Sequence, residues 1–450
     1  MKESRLAHRS LTLAAAALAF LALVPLALAQ AGQPDATFRE AQMLLRTAQR
    51  DTVGHGTDPV RLDSLGVAQL RLGQGDAAER TFRYVRSLAP NDGLALASLG
   101  KLALFRGRAA EAESLLIAAK DTEGASDDLY SLYLRRGDWK TASTRAEAQN
   151  DPGRIAQLDW LSEREAYALT GERGELQFER PWPVPLIKVK LNGTYVLMAI
   201  DLGAPTTLLD PVAIRVYKAK PLTGERSVLW NGARVAVKNV GITSLELGGL
   251  MLRDIPAGVL PLTKYSVSVN PQGVRIVGVL GVDVLRRLDV TIDFKRQRIE
   301  LRRPGTAYAP NDPQRVPFEL WGENEITAYG SVNGGRRMAL LVATGLPDAG
   351  LGGPVELFEE LGIKPGPISR MVKGAGSFLQ GRPWQQVSVG TVSLGTQVSD
   401  KLPAWSGAYS TSELWRHGLR RDAMLGPEWF KGRRLTLDWT KQELVFESND

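Results

Sequence analysis

A lone aspartate gives this sequence its clearest chemical signal. Asp201 follows an apolar run at residues 196–200 and precedes Leu202, Gly203 and a turn at Ala204-Pro205. Hydrophobic surroundings disfavour the ionised form of a carboxyl group, so this setting is expected to raise the pKa of Asp201. A carboxyl group held near its protonation midpoint is suited to general acid or base chemistry.

The same pattern occurs a second time further along the chain, with one difference. Gly345 matches Gly203, but Ala343 stands where an aspartate would match Asp201. The methyl group of alanine cannot donate or accept a proton. The sequence therefore keeps one of a pair of carboxylates and lacks the other.

The amino-acid composition narrows the remaining chemistry. The chain has no cysteine and three histidines, of which His55 and His417 lie beyond residue 29. Without cysteine there are no disulfides, thiolate nucleophiles or thiolate metal sites. Neither histidine is near a serine motif typical of a Ser-His-Asp triad. A multi-histidine metal site is excluded, so the chemistry is expected to come from carboxylates, without a metal or cofactor.

Residues 1–29 have the pattern of a secretory signal peptide. Basic residues precede an apolar run at residues 11–28, and Ala27-Leu28-Ala29 fits a small-x-small cleavage site. An uncleaved membrane anchor is the alternative, because the apolar run is long for a signal peptide. An exported chain without cysteine fits a bacterial periplasm or the cell exterior.

The charge distribution argues against a nucleic-acid partner. The formal net charge is +7, with 56 Lys and Arg residues against 49 Asp and Glu residues. The basic residues are interspersed with acidic ones and do not form the patch that usually marks a nucleic-acid site. We therefore expect a solvated surface, and a membrane contact only if the N-terminal segment is retained.

Residues 30–175 contain a helical repeat. Leu65-Gly66 and Gly73 recur as Leu99-Gly100 and Gly107, at a period of 34 residues. This period, with small residues at matching positions, resembles the tetratricopeptide repeat family, in which paired helices stack into a solenoid. The resemblance implies a concave face that binds a protein partner. A purely structural helical spacer is the alternative.

The helical pattern extends on both sides of these two copies. A third, shortened copy has Gly137 and Ala142 at the matching positions. One helix is predicted over residues 37–49 before the repeats, and another over residues 155–170 after them. No residue of this helical part is expected to be catalytic.

From residue 176 onwards the pattern changes to short strands and tight turns, with prolines at the boundary. Strands are predicted at residues 186–190 and 195–200. Between them, Asn192-Gly193 is typical of a two-residue hairpin turn that requires positive φ. The sequence therefore predicts a β-hairpin that leads directly into Asp201.

A second hairpin has the same composition. Strands are predicted at residues 326–332 and 338–342, on either side of Asn333-Gly334. The C-terminal half is therefore interpreted as one β lobe used twice, over residues 176–304 and 305–450.

Later landmarks repeat in the same order in both lobes. Val279-Leu280-Gly281 matches Met424-Leu425-Gly426, and Asp293 matches Asp438 in positions expected to cap a hairpin. Together, these motifs resemble the two-lobed aspartic peptidases built from retropepsin-like or pepsin-like units. The resemblance implies a multidomain protein, in which a tetratricopeptide-like solenoid precedes a bilobal aspartic-peptidase-like β-barrel domain.

The resemblance also implies roles for individual residues. In that family each lobe contributes an Asp-Thr-Gly loop, and the two aspartates share one proton and activate a water molecule. Asp201 and Gly203 fill this loop in lobe one, and Thr344 and Gly345 fill it in lobe two. Ala343 marks the position of the lost second aspartate. The implied aspartic endopeptidase is therefore predicted to be weak or inactive.

Four neighbouring residues receive structural interpretations. Leu202 stands where the family has a threonine whose hydroxyl group locks the two loops together. Asp348 is interpreted as a surface turn residue and not as a substitute acid. Asp283 and Glu428 are expected at the starts of short helices, where a carboxylate is favourable.

Two glycine-containing segments are candidates for peptide-binding flaps. Trp230 and Gly232 are predicted at the tip of the first-lobe flap, with an exposed turn as an equal alternative. Gly374 and Gly376 are predicted in the second-lobe flap. Flaps of this kind bind an extended peptide by strand-like pairing.

Three hypotheses follow for the function. The leading one is an exported protein with a broken catalytic dyad, which binds extended peptides in the interlobe cleft with little or no cleavage. The second is an active endopeptidase that uses Asp201 with another, unidentified acid. The third is an assembly scaffold in which the helical repeats carry the function.

Overall fold

The computed structural model describes residues 38–148, 150–270, 273–306, 310, 312–364, 371–372, 384–410 and 413–447. The predicted signal peptide, and the predicted second flap with Gly374 and Gly376, lie outside the described residues. The chain forms two compact units, the first with residues up to Pro90 and Thr411–Arg420, the second with Asn91–Ser410 and Arg421–Asp450. None of the helices within the described ranges is long and apolar enough to cross a membrane.

The first unit contains α1 (Phe38–Thr52), α2 (Pro59–Arg71) and α3 (Gly75–Leu88). Helix α2 starts where the side chain of Asp58 accepts a hydrogen bond from the backbone N–H of Val60, at 3.1 Å. A Cβ atom at Gly66 would lie 2.6 Å from the ring of Phe82. The small residue of the repeat is therefore required where α2 and α3 pack together.

The second unit begins with further helices: α4 (Gly93–Phe105), α5 (Ala109–Ala118), α6 (Ala125–Arg136), α7 (Trp139–Ala148) and α8 (Pro152–Ser162). At Gly100, one period after Gly66, a Cβ atom would lie 2.7 Å from Leu116 Cγ. The same small residue thus marks the same kind of helix contact. The helical N-terminal region is confirmed, whereas membership in the tetratricopeptide family stays a prediction.

One predicted helix ends earlier than its pattern indicates. Helix α8 stops at Ser162, and Ala168–Thr170 is strand β1 instead of the last turn of a helix over 155–170. Strand β1 pairs antiparallel with a later strand, with Ala168 opposite Arg253. Long-range pairing of the backbone overrides the local helical preference here.

Helices of the second unit pack directly on the β region. The guanidinium group of Arg135 is 9% exposed and donates hydrogen bonds to the carbonyl groups of Leu320 at 2.7 Å and Glu323 at 3.0 Å. Phe105 stacks on Trp321 with 5.8 Å between ring centroids. This part of the helical region therefore belongs to the same compact unit as the β lobes.

Lobe one is built from β1 (Ala168–Thr170), β2 (Arg173–Arg180), β3 (Leu186–Leu191), β4 (Thr194–Ile200), β5 (Leu208–Leu209), β6 (Lys220–Trp230), β7 (Ala233–Leu247), β8 (Leu250–Val259), β9 (Ile276–Leu280), β10 (Asp289–Asp293) and β11 (Arg298–Arg302), with short helices α9 (Val212–Arg215), α10 (Thr263–Val269) and α11 (Val282–Leu285). The predicted β3–β4 hairpin is confirmed, and Asn192 and Gly193 have φ values of 48° and 84°. Strand β9 pairs parallel with β4, with Ile200 opposite Leu280.

Lobe two repeats this arrangement with β12 (Gln314–Trp321), β13 (Glu325–Val332), β14 (Met338–Val342), β15 (Leu351–Gly353), β16 (Met371–Val372), β17 (Trp384–Leu394), β18 (Gln397–Ser406), β19 (Ala423–Leu425), β20 (Arg434–Asp438) and β21 (Glu443–Phe446), with α12 (Val355–Glu360) and α13 (Pro427–Phe430). The β13–β14 hairpin turns at Asn333 and Gly334, with φ values of 51° and 65°. Strand β19 pairs parallel with β14, with Val342 opposite Leu425. The duplication predicted from the sequence is therefore present in the backbone.

A shared sheet joins the two lobes. Strands β10 and β20 pair antiparallel, and the hydroxyl groups of Thr291 and Thr436 lie 2.9 Å apart across this pairing. Asp293 and Asp438 each accept a hydrogen bond from the backbone N–H three residues later, at 2.8 Å and 2.9 Å. Both aspartates therefore cap hairpin turns, as expected from their matched positions.

Candidate functional site

Asp201 lies at the end of β4 and is only 1% exposed. Its Oδ1 accepts hydrogen bonds from the backbone N–H groups of Gly203 and Gly345, both at 2.8 Å. A Cβ atom at Gly345 would lie 2.4 Å from Asp201 Cγ. Glycine is therefore required in the second loop, because its backbone passes directly against the carboxyl group of the first.

The protonation of Asp201 is set by two opposing effects. Burial raises the pKa of its carboxyl group to about 6, while the hydrogen bonds from Gly203 and Gly345 act in the opposite direction. The desolvation of the charged form is the larger of the two effects. Asp201 is therefore mainly ionised above about pH 6 and mainly protonated below it.

Thr344 connects the two loops. Its side chain is fully buried, and its hydroxyl group donates to the carbonyl oxygen of Ile200 at 3.0 Å and accepts from the backbone N–H of Leu202 at 3.0 Å. The matching side chain in lobe one is Leu202, which has no hydroxyl group to make the reciprocal pair. The side-chain hydrogen bonds that connect the two loops here are therefore made by Thr344 of lobe two, without equivalents from Leu202 of lobe one.

Ala343 occupies the position in lobe two that Asp201 occupies in lobe one. It is 4% exposed, and a Cβ atom at Gly203 would be 2.7 Å from its methyl group. The backbone N–H of Ala343 donates to Leu425 at 2.9 Å, just as that of Asp201 donates to Leu280 at 3.1 Å. The two loops have matching backbones, and only one of them carries an acid.

Asp348 is a turn residue, as its sequence pattern predicts. It is exposed and has a φ of 52°, as a turn residue does. The carboxyl group of Asp283 is at the start of α11, as expected, and accepts hydrogen bonds from the N–H and hydroxyl groups of Thr207, both at 2.8 Å. Burial raises the pKa of Asp283 to about 6.

The segment predicted as the first-lobe flap is the β6–β7 hairpin, and its tip is not exposed. Asn231, with 6% exposure, and Gly232 form the turn, and Gly232 accepts a hydrogen bond from the backbone N–H of Ser410 at 2.9 Å. A Cβ atom at Gly232 would lie 2.3 Å from the carbonyl oxygen of Ala408. The interpretation of residues 230–232 as an exposed turn is wrong, because the tip packs on lobe two.

An ion network ties the hairpin to lobe two close to its turn. Glu325 is 3% exposed and accepts from Arg421 at 2.6 Å and from Arg234 of β7 at 3.3 Å. Arg421 also donates to the hydroxyl group of Tyr409, at 3.4 Å. Buried charge pairs of this kind fix geometry, because neither partner tolerates the loss of the other.

Tyr265 of α10 joins the site without any sequence motif to indicate it. The ring of Tyr265 contacts the ring of Trp230 edge to face, with centroids 5.2 Å apart. Both side chains are 2% exposed. Burial, and then the nearby charge of Asp201, raise the pKa of the Tyr265 hydroxyl well above its ordinary value.

The hydroxyl group of Tyr265 and the indole N–H of Trp230 are buried and have no hydrogen-bond partner within the described residues. A buried donor without an acceptor destabilises a protein by about 1–3 kcal/mol. Two such donors, on aromatic rings that contact each other, indicate a position for a polar ligand.

Comparison with known proteins supports an aspartic-peptidase assignment for lobe one. Residues 187–284 match the aspartyl protease family model Asp_protease_2. This segment contains Asp201, Gly203 and Gly281. No curated protein sequence matches the chain.

Three solved structures resemble the chain at low identity. Soybean basic 7S globulin has 9% identity and a TM-score of 0.33, and covers 63% of this chain with 96% of its own length. An aspartic proteinase from Irpex lacteus has 12% identity and a TM-score of 0.38, and covers 62% with 98% of its own length. Conglutin gamma, a basic 7S globulin from lupine seeds, has 12% identity and a TM-score of 0.34, and covers 63% with 96% of its own length.

The C-terminal region is therefore aspartic-peptidase-like. The assignment depends on the family match in lobe one and on the duplicated loops around Asp201 and Ala343. It describes this region of the chain, and a fold alone does not establish a reaction.

Proposed function

We propose that this protein is an exported, aspartic-peptidase-like protein that binds an extended peptide in the cleft between its lobes, with little or no cleavage. The observation that carries the proposal is the pair of matched loops, one with Asp201 and the other with the methyl group of Ala343 against Gly203. The loop geometry of a peptidase is retained, and half of its acid–base chemistry is absent.

Efficient hydrolysis needs both an ionised and a protonated carboxyl group beside one water molecule. Asp201 alone can supply one of these forms at a given moment. Loss of a general acid or base lowers a rate by about 10²–10⁴-fold, and loss of one member of a catalytic unit lowers it further. We therefore expect binding without significant turnover.

Unsatisfied donors support the binding half of the proposal. The hydroxyl group of Tyr265 and the indole N–H of Trp230 are positioned for acceptors such as the carbonyl groups of an extended peptide. The flap hairpin provides backbone groups for strand-like pairing. Entry of a peptide requires the flap to open, because Asp201 is 1% exposed and Gly232 is bonded to Ser410.

The test is to measure binding and cleavage of a diverse peptide library between pH 3 and pH 8. The comparison is between the wild-type protein and Asp201→Asn, which keeps the side-chain shape. We expect saturable binding of some peptides by both proteins and no cleavage that depends on Asp201. Cleavage by the wild-type protein that disappears in Asp201→Asn would contradict the proposal.

A second candidate function is an active peptidase that pairs Asp201 with Tyr265. It is favoured by one observation, the buried hydroxyl group of Tyr265, whose pKa the charge of Asp201 helps to raise. In this reading, Asp201 activates water and the phenol donates a hydrogen bond to the scissile carbonyl group.

The matched pair of variants Tyr265→Phe and Tyr195→Phe separates the two candidates. Tyr195 is 59% exposed and serves as the control. If the second candidate is right, Tyr265→Phe lowers the cleavage rate by about 10²-fold, and Tyr195→Phe leaves it unchanged. An absence of cleavage in the wild-type protein removes this candidate.

Export is the part of the proposal that depends on residues 1–29. Their signal-peptide pattern supports processing after residue 29 and release into a periplasm or the cell exterior. N-terminal sequencing of the protein from a fractionated bacterial host tests this step. Intact protein that pellets with membranes would instead favour a retained anchor. A protein partner on the helical region stays a prediction.

A further inference from the structure

A small cavity lies behind the Asp201 loop, on the side of the helices. Its volume is about 30 Å³, and Pro205 and Thr206 of the loop form part of its wall together with side chains from α6, α7 and α8. One buried water molecule needs a cavity of about 10–15 Å³. The cavity therefore has room for about two water molecules, or for one small ion.

Arg286 reaches this cavity without a carboxylate partner. Its Nη1 donates to the side-chain oxygen of Asn324 at 2.8 Å, and its Nη2 donates to the backbone carbonyl of Arg135 at 3.1 Å. Both acceptors are neutral. No carboxylate within the described residues lies at ion-pair distance from this guanidinium group.

Arg287 lies beside it in a similar position. Its guanidinium group stacks over the ring of Tyr167 at 4.6 Å and is 5.5 Å from that of Trp139. Its Nε is buried and has no hydrogen-bond acceptor among the residues that the structure describes. A positively charged donor is thus held in place by aromatic rings and is not paired with a carboxylate of the described residues.

The two acids of the cavity are engaged by other groups. Asp283 accepts hydrogen bonds from Thr207, and Glu323 lies 3.4 Å from Arg154 and 3.9 Å from Arg226. The wall therefore has three guanidinium groups, those of Arg226, Arg286 and Arg287, against two carboxyl groups. Its net charge is positive even with both acids ionised.

The environment of Arg286 is correspondingly unfavourable. Burial, and then the like charges of Arg287 and Arg135, lower the pKa of Arg286 to about 9. Like charges held together in a partly desolvated site are stabilised by a counter-ion between them. The shape of the cavity, its excess of positive charge and the unbonded N–H of Arg287 thus all favour a bound anion.

We propose that this cavity binds one small monovalent anion, a chloride ion or a carboxylate group of the size of formate, between Arg286 and Arg287. The anion accepts the hydrogen bond that Arg287 Nε lacks and reduces the repulsion between the two guanidinium groups. Because Thr206 belongs to the wall, the anion would also join α6 and α7 to the loop that carries Asp201. This site is separate from the peptide cleft and does not depend on the function proposed for it.

The test is the thermal unfolding of the purified protein in sodium formate, in sodium chloride and in sodium gluconate at equal ionic strength. Gluconate is too large for a cavity of about 30 Å³. We expect Tm to rise saturably with formate or chloride and not with gluconate, since an ion that binds only the folded state stabilises it. The stronger of the two responses identifies the type of anion.

A matched pair of variants makes the test specific. Arg287→Met keeps most of the side-chain length and should weaken anion binding by about 10-fold or more, as expected for one charge-assisted hydrogen bond. Arg253→Met, at an exposed arginine on β8, should leave the anion response unchanged. The proposal is overturned if the formate and chloride curves follow the gluconate curve, or if Arg287→Met responds like the wild type.

A direct measurement covers the case in which Arg287→Met does not fold. Binding of chloride to the wild-type protein broadens its ³⁵Cl magnetic resonance line, and binding of formate changes the ¹³C relaxation of labelled formate. We expect a saturable effect from at least one of the two ions. Its absence for both would overturn the proposal without any variant.

Discussion

The two loops at the centre of this protein have the same backbone and different chemistry. In lobe one, the carboxyl group of Asp201 contacts the backbone of Gly345 in the opposite loop. In lobe two, the methyl group of Ala343 contacts Gly203 in the equivalent position. The backbone N–H of each residue bonds to the strand that crosses behind its loop. The comparison teaches that the two loops keep the same backbone bonds whether the residue at the end of the strand is an aspartate or an alanine.

The interlock between the loops is equally one-sided. The hydroxyl group of Thr344 makes both of its cross-lobe hydrogen bonds, whereas Leu202 contributes an apolar side chain that is fully buried. Lobe two therefore has the hydroxyl group that bonds across the lobes but no acid, and lobe one has the acid but no such hydroxyl group. Each of the following predictions tests one side of this asymmetry.

The largest effect is expected from Ala343→Asp. The introduced carboxyl group would face Gly203 as Asp201 faces Gly345, and two acids at this distance share one proton. We expect cleavage of a fluorogenic peptide at acidic pH to rise by roughly 10²-fold or more over the wild type. Ala343→Asn is the control, because it has nearly the same size and cannot titrate. Equal rates for the two variants would contradict the restored dyad.

The next effect concerns Thr344→Val, which removes a hydroxyl group and keeps the shape. The backbone N–H of Leu202 and the carbonyl oxygen of Ile200 would lose their partner in a buried position. The free energy of unfolding should fall by about 2–4 kcal/mol, as measured by denaturant titration.

The exposed Thr194 supplies the control for this measurement. Thr194→Val should change the stability by no more than about 0.5 kcal/mol. A similar small loss for Thr344→Val would mean that the interlock does not stabilise the contact between the lobes.

A change in stability of comparable size, which appears as the pH rises towards and above about 6, is expected from Asp201→Asn. Burial raises the pKa of Asp201 from 3.8 to about 6, so the folded state favours the protonated carboxyl group. Its contribution to stability is complete below pH 3.8 and is lost as the pH rises through about 6. The variant does not titrate and should therefore gain up to about 3 kcal/mol over the wild type between pH 4 and pH 7.5.

Unfolding curves of both proteins across this pH range provide the measurement. Asp128 and Asp283, whose pKa values burial also raises to about 6, are present in both proteins, so the difference isolates Asp201. A stability difference that does not change with pH would mean that Asp201 titrates near its ordinary pKa.

The smallest effect is expected from Leu202→Thr, which supplies the missing half of the interlock. Two new hydrogen bonds would add about 1 kcal/mol each, and the loss of buried apolar surface would remove about as much. The free energy of unfolding should change by less than about 1 kcal/mol. A loss above about 3 kcal/mol would show that the loop no longer accepts a polar residue there.

Much of the site could be predicted from the sequence because its signals are local and occur twice. Asn192-Gly193 and Asn333-Gly334 specify hairpin turns through their positive φ, and both hairpins are present. The register of β4 then follows, which puts Asp201 at its end. The difference between Asp201 and Ala343 can be recognised in the sequence because the motifs on both sides of these two residues are repeated.

The remaining parts could not be predicted because they depend on contacts between distant segments. Tyr265 belongs to a short helix without a motif, and only the folded chain brings it to Trp230. The tip of the flap is buried because Ser410 bonds to Gly232. The last residues of the predicted helix over 155–170 form a strand because β8 lies beside them.

The packing of the β6–β7 hairpin on lobe two has a consequence for the rate at which the peptide proposed as ligand would bind. The hairpin is held at its turn by the bond from Ser410 to Gly232, and two residues further on by the contact of Arg234 with Glu325, so these bonds must break before a ligand enters. The observed association rate should therefore level off at high peptide concentration, at the rate of opening. Once the flap has closed again over a bound peptide, the same bonds oppose its escape, so a slow entry should be paired with a long residence time.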